Sequence, residues 1–70
     1  MEMDFNKNFS ENLKMLRKFR GLTQVEVSEK LGIDSQNYFR WESGKNIPNS
    51  DTIEELSKIL QKHRSFFFAG

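Results

Sequence analysis

Gln24-Val25-Glu26-Val27-Ser28-Glu29-Lys30-Leu31, then Gly32-Ile33-Asp34, then Ser35-Gln36-Asn37-Tyr38-Phe39-Arg40-Trp41-Glu42-Ser43, is the stretch that decides the fold. Val27 and Leu31 recur at the spacing of one helix face, and so do Tyr38 and Trp41. Only three residues separate the two segments. A turn that short forces two helices to cross steeply with their backbones close together. Gly32 in the bend and small Ser28 in mid-helix suit such a contact, and Ile33 adds an apolar clamp. Start signals agree: Thr23 with Glu26 three residues later has the form of a capping box, and Asp34 is a candidate N-cap.

Outward from this pair, Gly21, Gly32 and Gly44 punctuate the chain at intervals suited to short helices that each end on a glycine. Asn8 with Glu11 resembles a second capping box, which predicts a first helix from about Phe9 to Arg20. On that helix Phe9, Leu13 and Leu16 form one stripe, and Met15 and Phe19 a second beside it. Asn49 or Ser50 opens a fourth helix to about Gln61, carrying Ile53, Leu56, Ile59 and Leu60 inward. Ser65 to Phe68 forms a short fifth helix or a tail folded back on the domain. Residues 1–8 are expected to be a flexible segment ahead of a domain spanning 9–70. No stretch alternates with period two, so strands are not expected. The reading is all-α: four or five short helices around one core.

Composition narrows the functional classes. The chain has 70 residues, 36% hydrophobic and 30% charged, which accommodates one small domain. With no cysteine there is neither a disulfide nor a thiolate metal site, and the single histidine, His63, leaves any zinc ligand set incomplete. No cofactor motif is present, and no Gly-rich phosphate loop, nucleophile–histidine pair or carboxylate pair points to an enzyme. The longest apolar run, Phe66 to Ala69, is far too short to span a bilayer. Met1-Glu2-Met3-Asp4 lacks the basic start of a signal peptide, so a cytoplasmic protein is expected. Net charge is only +1, but Lys14 to Arg20 holds four cations and no acid. Such a run is either a phosphate-facing patch or a solvated helix face.

The combination of Leu22-Thr23-Gln24-Val25-Glu26-Val27-Ser28-Glu29-Lys30-Leu31-Gly32-Ile33 with Phe39-Arg40-Trp41-Glu42-Ser43-Gly44-Lys45 and Pro48 resembles the Cro/phage-repressor, Xre-like helix-turn-helix family. The likeness spans roughly Leu13 to Phe68 and includes the Leu16-Arg17 pair of helix one. Val27-Ser28 stands where Leu-Ala is usual, and Tyr38 where a β-branched residue is common. The resemblance implies a lambda-repressor-like DNA-binding domain whose helix-turn-helix is formed by helices two and three. It also implies a structural salt bridge between Arg17 and Glu42, and a phosphate contact at Gln24.

Helix three can be read from its own residues as well. If Tyr38 and Trp41 mark the buried side, the opposite side carries Gln36, Phe39, Arg40 and Ser43, with Ser35 at the exposed N-terminus. Ser35, Gln36, Phe39 and Arg40 are the candidate base readers. Gln36 can make a bidentate contact to adenine, Arg40 can reach guanine or a phosphate, and Phe39 can cover a thymine methyl group. Phe39 can equally pack on a neighbouring loop. Gln24, Asn37, Ser43, Lys45 and Asn46 are the candidate phosphate contacts, Gln24 from the N-terminus of helix two. Lys45 is alternatively a cation favoured at a helix C-terminus. Phe66, Phe67 and Phe68 cannot all face one core, so part of them, with Met15 or Phe19, forms either a dimer contact or a cover over the core.

Together these features predict a sequence-specific binder of double-stranded DNA that acts as a transcriptional regulator, a repressor first. It would read the major groove with helix three as a homodimer on a palindrome whose half-sites lie about 34 Å apart. The alternative, from another class, keeps the fold as a protein-interaction module, such as an antitoxin masking a toxin or a partner of a sensor domain.

Overall fold

A computed structural model describes residues 5–69, which form α1 (Phe5–Phe19), α2 (Gln24–Leu31), α3 (Ser35–Glu42), α4 (Ser50–Leu60) and a 3-10 helix (Arg64–Phe68). Met1 to Asp4, part of the segment expected to be flexible, lie outside the described residues. No strand occurs among the described residues, and the all-α expectation holds.

One boundary differs from the sequence reading. Helix α1 begins at Phe5, four residues before the expected start. Asn8 therefore lies inside the helix and is not its N-cap, and residues 5–8 are helical rather than a loose lead. Residues 5–8 contain neither glycine nor proline. Once the Phe9–Leu16 stripe is docked, extending a formed helix costs little. The other starts follow their side chains. The Thr23 hydroxyl accepts from the Glu26 N–H at 3.0 Å while Glu26 accepts from the Thr23 N–H at 2.8 Å, a complete capping box. Asp34 caps α3 through the Gln36 N–H, and Asn49 caps α4 through the Thr52 N–H.

The turn after α2 is closed by the backbone itself. Gly32 has φ +72°, and its N–H reaches the Glu29 carbonyl while the Ile33 N–H reaches the Ser28 carbonyl at 3.0 Å. This double closure satisfies the last carbonyls of α2 and reverses the chain within one residue. Gly21 and Gly44 close α1 and α3 in the same conformation. At α4 the left-handed position falls instead to Gln61, φ 59°. There Arg20 supplies side-chain help, donating to the Leu60 carbonyl at 2.7 Å and the Gln61 carbonyl at 3.1 Å. Arg20 is thus an end-cap for α4, fixed by hydrogen bonds to the protein itself.

The core gathers Phe9, Leu13 and Leu16 from α1, Val27 from α2, Tyr38 and Trp41 from α3, Ile53, Leu56 and Leu60 from α4, and Phe67. Of the phenylalanine triplet, Phe67 is fully buried against Phe9, ring centroids 5.5 Å apart, Phe66 is half-buried and Phe68 is exposed. Asn12 fastens this tail by donating to the carbonyls of Phe67 and Ala69. The tail therefore folds back over the core. The second α1 stripe does not join it: Met15 is 54% and Phe19 76% exposed. Counting 100° per residue puts both about 160° round the helix from Arg17, which faces α3.

Removing Phe67 should therefore cost far more than removing a residue of the outer stripe. Phe67→Ala is expected to lose about 3–5 kcal/mol in urea denaturation, whereas Met15→Ala should stay within about 0.5 kcal/mol of wild type. Equal losses for the two would mean the tail does not complete the core.

Candidate nucleic-acid interface

The site is built on a buried charge. Glu42, in the last turn of α3, is only 5% exposed, and Arg17 only 8%. Arg17 grips its carboxylate with two nitrogens, Nε to Oε2 at 2.6 Å and Nη2 to Oε1 at 3.0 Å. The Tyr38 hydroxyl donates to Oε2 at 2.5 Å and the Gln24 Nε2 to Oε1 at 3.1 Å. Two donors on each oxygen fill the carboxylate's accepting positions. Arg17 Nη1 also donates to the Leu22 carbonyl at 2.7 Å, so one guanidinium joins α1, the α1–α2 turn and α3. Among the described residues no buried side-chain nitrogen or oxygen lacks a partner.

Electrostatics follow from these contacts. Burial alone would raise the Glu42 carboxyl, but hydrogen bonds from Arg17, Tyr38 and Gln24 outweigh it and hold the group below the ordinary glutamate value. Arg17 is pushed up, chiefly by its bond to Glu42. Burial, then the bond to Glu42, pushes the Tyr38 hydroxyl well above its usual range.

On the open side of this network lies a cleft of about 480 Å³, lined by Gln24, Val25, Ser35, Gln36, Phe39, Arg40, Ser43 and Lys45. Helices α2 and α3 supply all of these except Ser43 and Lys45, which follow α3. The four candidate base readers, Ser35, Gln36, Phe39 and Arg40, thus share one concave surface with Gln24, Ser43 and Lys45. Asn37 and Asn46 are exposed but do not line it. Asn37 is turned about 100° from Gln36 on α3, and Asn46 lies in the loop toward α4. Phe39 is 53% exposed, so it does not pack away on a loop. Gln24 spends one amide hydrogen on Glu42, and its nitrogen carries a second. Val25, 55% exposed, is the lining residue that sequence reasoning missed. The available signal was its position about 160° round α2 from Val27, an apolar residue outside the buried stripe.

Comparison with known proteins agrees with this architecture. The family described as Helix-turn-helix matches residues 13–67. The chain belongs to the Xre/Cro-like helix-turn-helix family. This helix-turn-helix chain is 39% identical over 62 residues to the uncharacterized HTH-type transcriptional regulator YqaE of Bacillus subtilis (strain 168), covering 89% of this chain and 53% of YqaE. It is 37% identical over 62 residues to the SPbeta prophage-derived uncharacterized HTH-type transcriptional regulator YonR of the same organism, covering 89% and 57%. Over 51 residues it is 36% identical to the cryptic phage CTXphi transcriptional repressor RstR of Vibrio cholerae, covering 73% and 46%. The helix-turn-helix chain spans about half the length of these curated relatives. No solved structure matches it significantly. No helix among its described residues is long and apolar enough to cross a membrane.

Two outcomes test the buried network. Glu42→Ala strands the Arg17 charge and is expected to cost about 3–5 kcal/mol, enough to unfold or nearly unfold a domain of this size; a melting temperature within a few degrees of wild type would contradict it. Stability should also depend on pH at both ends. Glu42, held below its unfolded value near 4.5, contributes fully above that pH and is lost as pH falls through the folded value. Tyr38, raised above 10.0, contributes fully below that pH and is lost as pH rises toward its folded value. Thermal melts of wild type and Tyr38→Phe across pH should show the alkaline decline reduced in the variant and the acid decline retained.

Proposed function

We propose that this chain binds double-stranded DNA sequence-specifically and regulates transcription, with α3 in the major groove. The observation that carries the reading is the cleft, where amide, guanidinium and ammonium donors of Gln36, Arg40 and Lys45 converge on one open face. Ser35, Gln36, Phe39 and Arg40 read base edges. Gln24, Asn37, Ser43, Lys45 and Asn46 hold the flanking phosphates, Gln24 at the N-terminus of α2 where the helix dipole favours an anion. The protein works in the cytoplasm, at the nucleoid, as a homodimer whose two-fold axis matches a palindromic operator. Repression is the favoured outcome, in line with the relative named as a phage repressor. The role is binding rather than catalysis and needs no cofactor.

A protein partner is a second and compatible reading. Met15, Leu16, Phe19, Lys62 and Phe66 line a separate apolar groove of about 230 Å³. Exposed apolar surface of this kind marks a contact with another chain, such as a toxin or a sensor domain.

Base and phosphate roles separate by mutation. Gln36→Ala should relax preference at one base position. Lys45→Ala should weaken all sequences about equally and lower the salt slope by about one charge. Selection from random duplex DNA followed by salt titration measures both. Unchanged ranking in the first variant and unchanged strength in the second would remove α3 as the reader.

A further inference from the structure

Val25 and Phe39 are large apolar side chains left about half exposed, 55% and 53%, within a face otherwise made of polar groups. Neither belongs to the core, and both line the same cleft from different helices. Their spacing is fixed rather than adaptable. The α2–α3 turn is closed by two backbone hydrogen bonds, and the first turn of α2 is tied to the end of α3 through Gln24 and Glu42. Around the pair stand Gln36, Arg40 and Lys45, donors suited to the acceptor-rich groove of a duplex.

In the major groove of DNA one base group is apolar: the 5-methyl of thymine. We propose that Val25 and Phe39 form two walls of a notch that takes this methyl group, so that a thymine at one fixed position of each half-site is specified by apolar contact. The proposal rests on the DNA-binding reading above, in which Phe39 alone can cover a thymine methyl group, and adds to it a second wall from α2. Val25 thereby acts in base recognition, although it lies outside the reading helix. An apolar side chain of a protein would satisfy the same notch only without the surrounding donors, which favour nucleic acid.

Replacing thymine by uracil removes the methyl group and nothing else. Two random-sequence duplex pools, one made with thymidine and one with deoxyuridine, are each enriched by the wild-type protein. The best thymidine duplex is then resynthesised with single thymine-to-uracil changes. Wild type is expected to bind the duplex about fourfold more weakly when the specified thymine loses its methyl, the worth of one buried methyl group. Phe39→Ala and Val25→Ala, both at exposed positions and checked for an unchanged melting temperature, should bind the thymine and uracil forms alike. Lys45→Ala should weaken both forms while keeping their ratio. Equal binding of thymine and uracil at every position, with Gln36→Ala still altering the sequence ranking, would overturn the notch and leave the DNA reading standing. Failure of wild type to enrich any duplex would overturn both.

Discussion

A carboxylate sealed from water must have its oxygens satisfied, and in this protein that requirement falls on Glu42. Its four donors come from three helices: Arg17 on α1, Gln24 on α2 and Tyr38 on α3 itself. No two of these elements can dock correctly without the third, because a missing donor leaves a buried charge short of a partner, at a cost comparable to the stability of a small domain. The core sets which faces meet. The carboxylate sets how they align.

That alignment reaches the open cleft directly. Gln24 belongs both to the Glu42 network and to the cleft lining, and Tyr38 and Glu42 lie one helical turn apart on the reverse of the helix that presents Gln36, Phe39 and Arg40. A rigid back holds a defined front. Tyr38 shows why a departure from the family pattern is tolerated here: its ring packs edge-on against Trp41, centroids 5.6 Å apart, while its hydroxyl adds a hydrogen bond that valine or isoleucine has no means to make. The opposite side of α1 carries Met15 and Phe19 outward, so this apolar groove and the donor-rich cleft with its Val25 and Phe39 are separate surfaces of one small domain.

Much of this was legible residue by residue. Thr23 and Glu26 announce a capping box because both partners are local, and Gly32 announces a left-handed turn because the restriction is steric. The α1 start at Asn8 was misread because the same side chain that can cap a helix can also ride on its surface, and only docking of the Phe9 stripe decides between them. The place of Met15 and Phe19, a second stripe beside the buried one, was left open for a related reason. Periodicity identifies a wide apolar sector, but the neighbours available to cover it come from residues fifty positions away. In the candidate site, Gln36, Phe39 and Arg40 were readable from one helix, whereas Val25 was not, because its place in the cleft depends on how α2 meets α3.

The order of helices, the N-caps of α2 and α3, the tight turn and the polar face of α3 were determined by the amino-acid sequence alone, since each depends on residues within about one or two turns of one another. Tertiary structure decided what depends on distant segments: that Phe67 rather than Phe66 or Phe68 closes the core, that Arg20 caps α4, and that Gln24 spends one of its donors on Glu42. Only tertiary structure also brings Val25 and Phe39 to one surface. Local stereochemistry fixes the pieces, but a buried charge and a shared core are satisfied only when all the pieces arrive together.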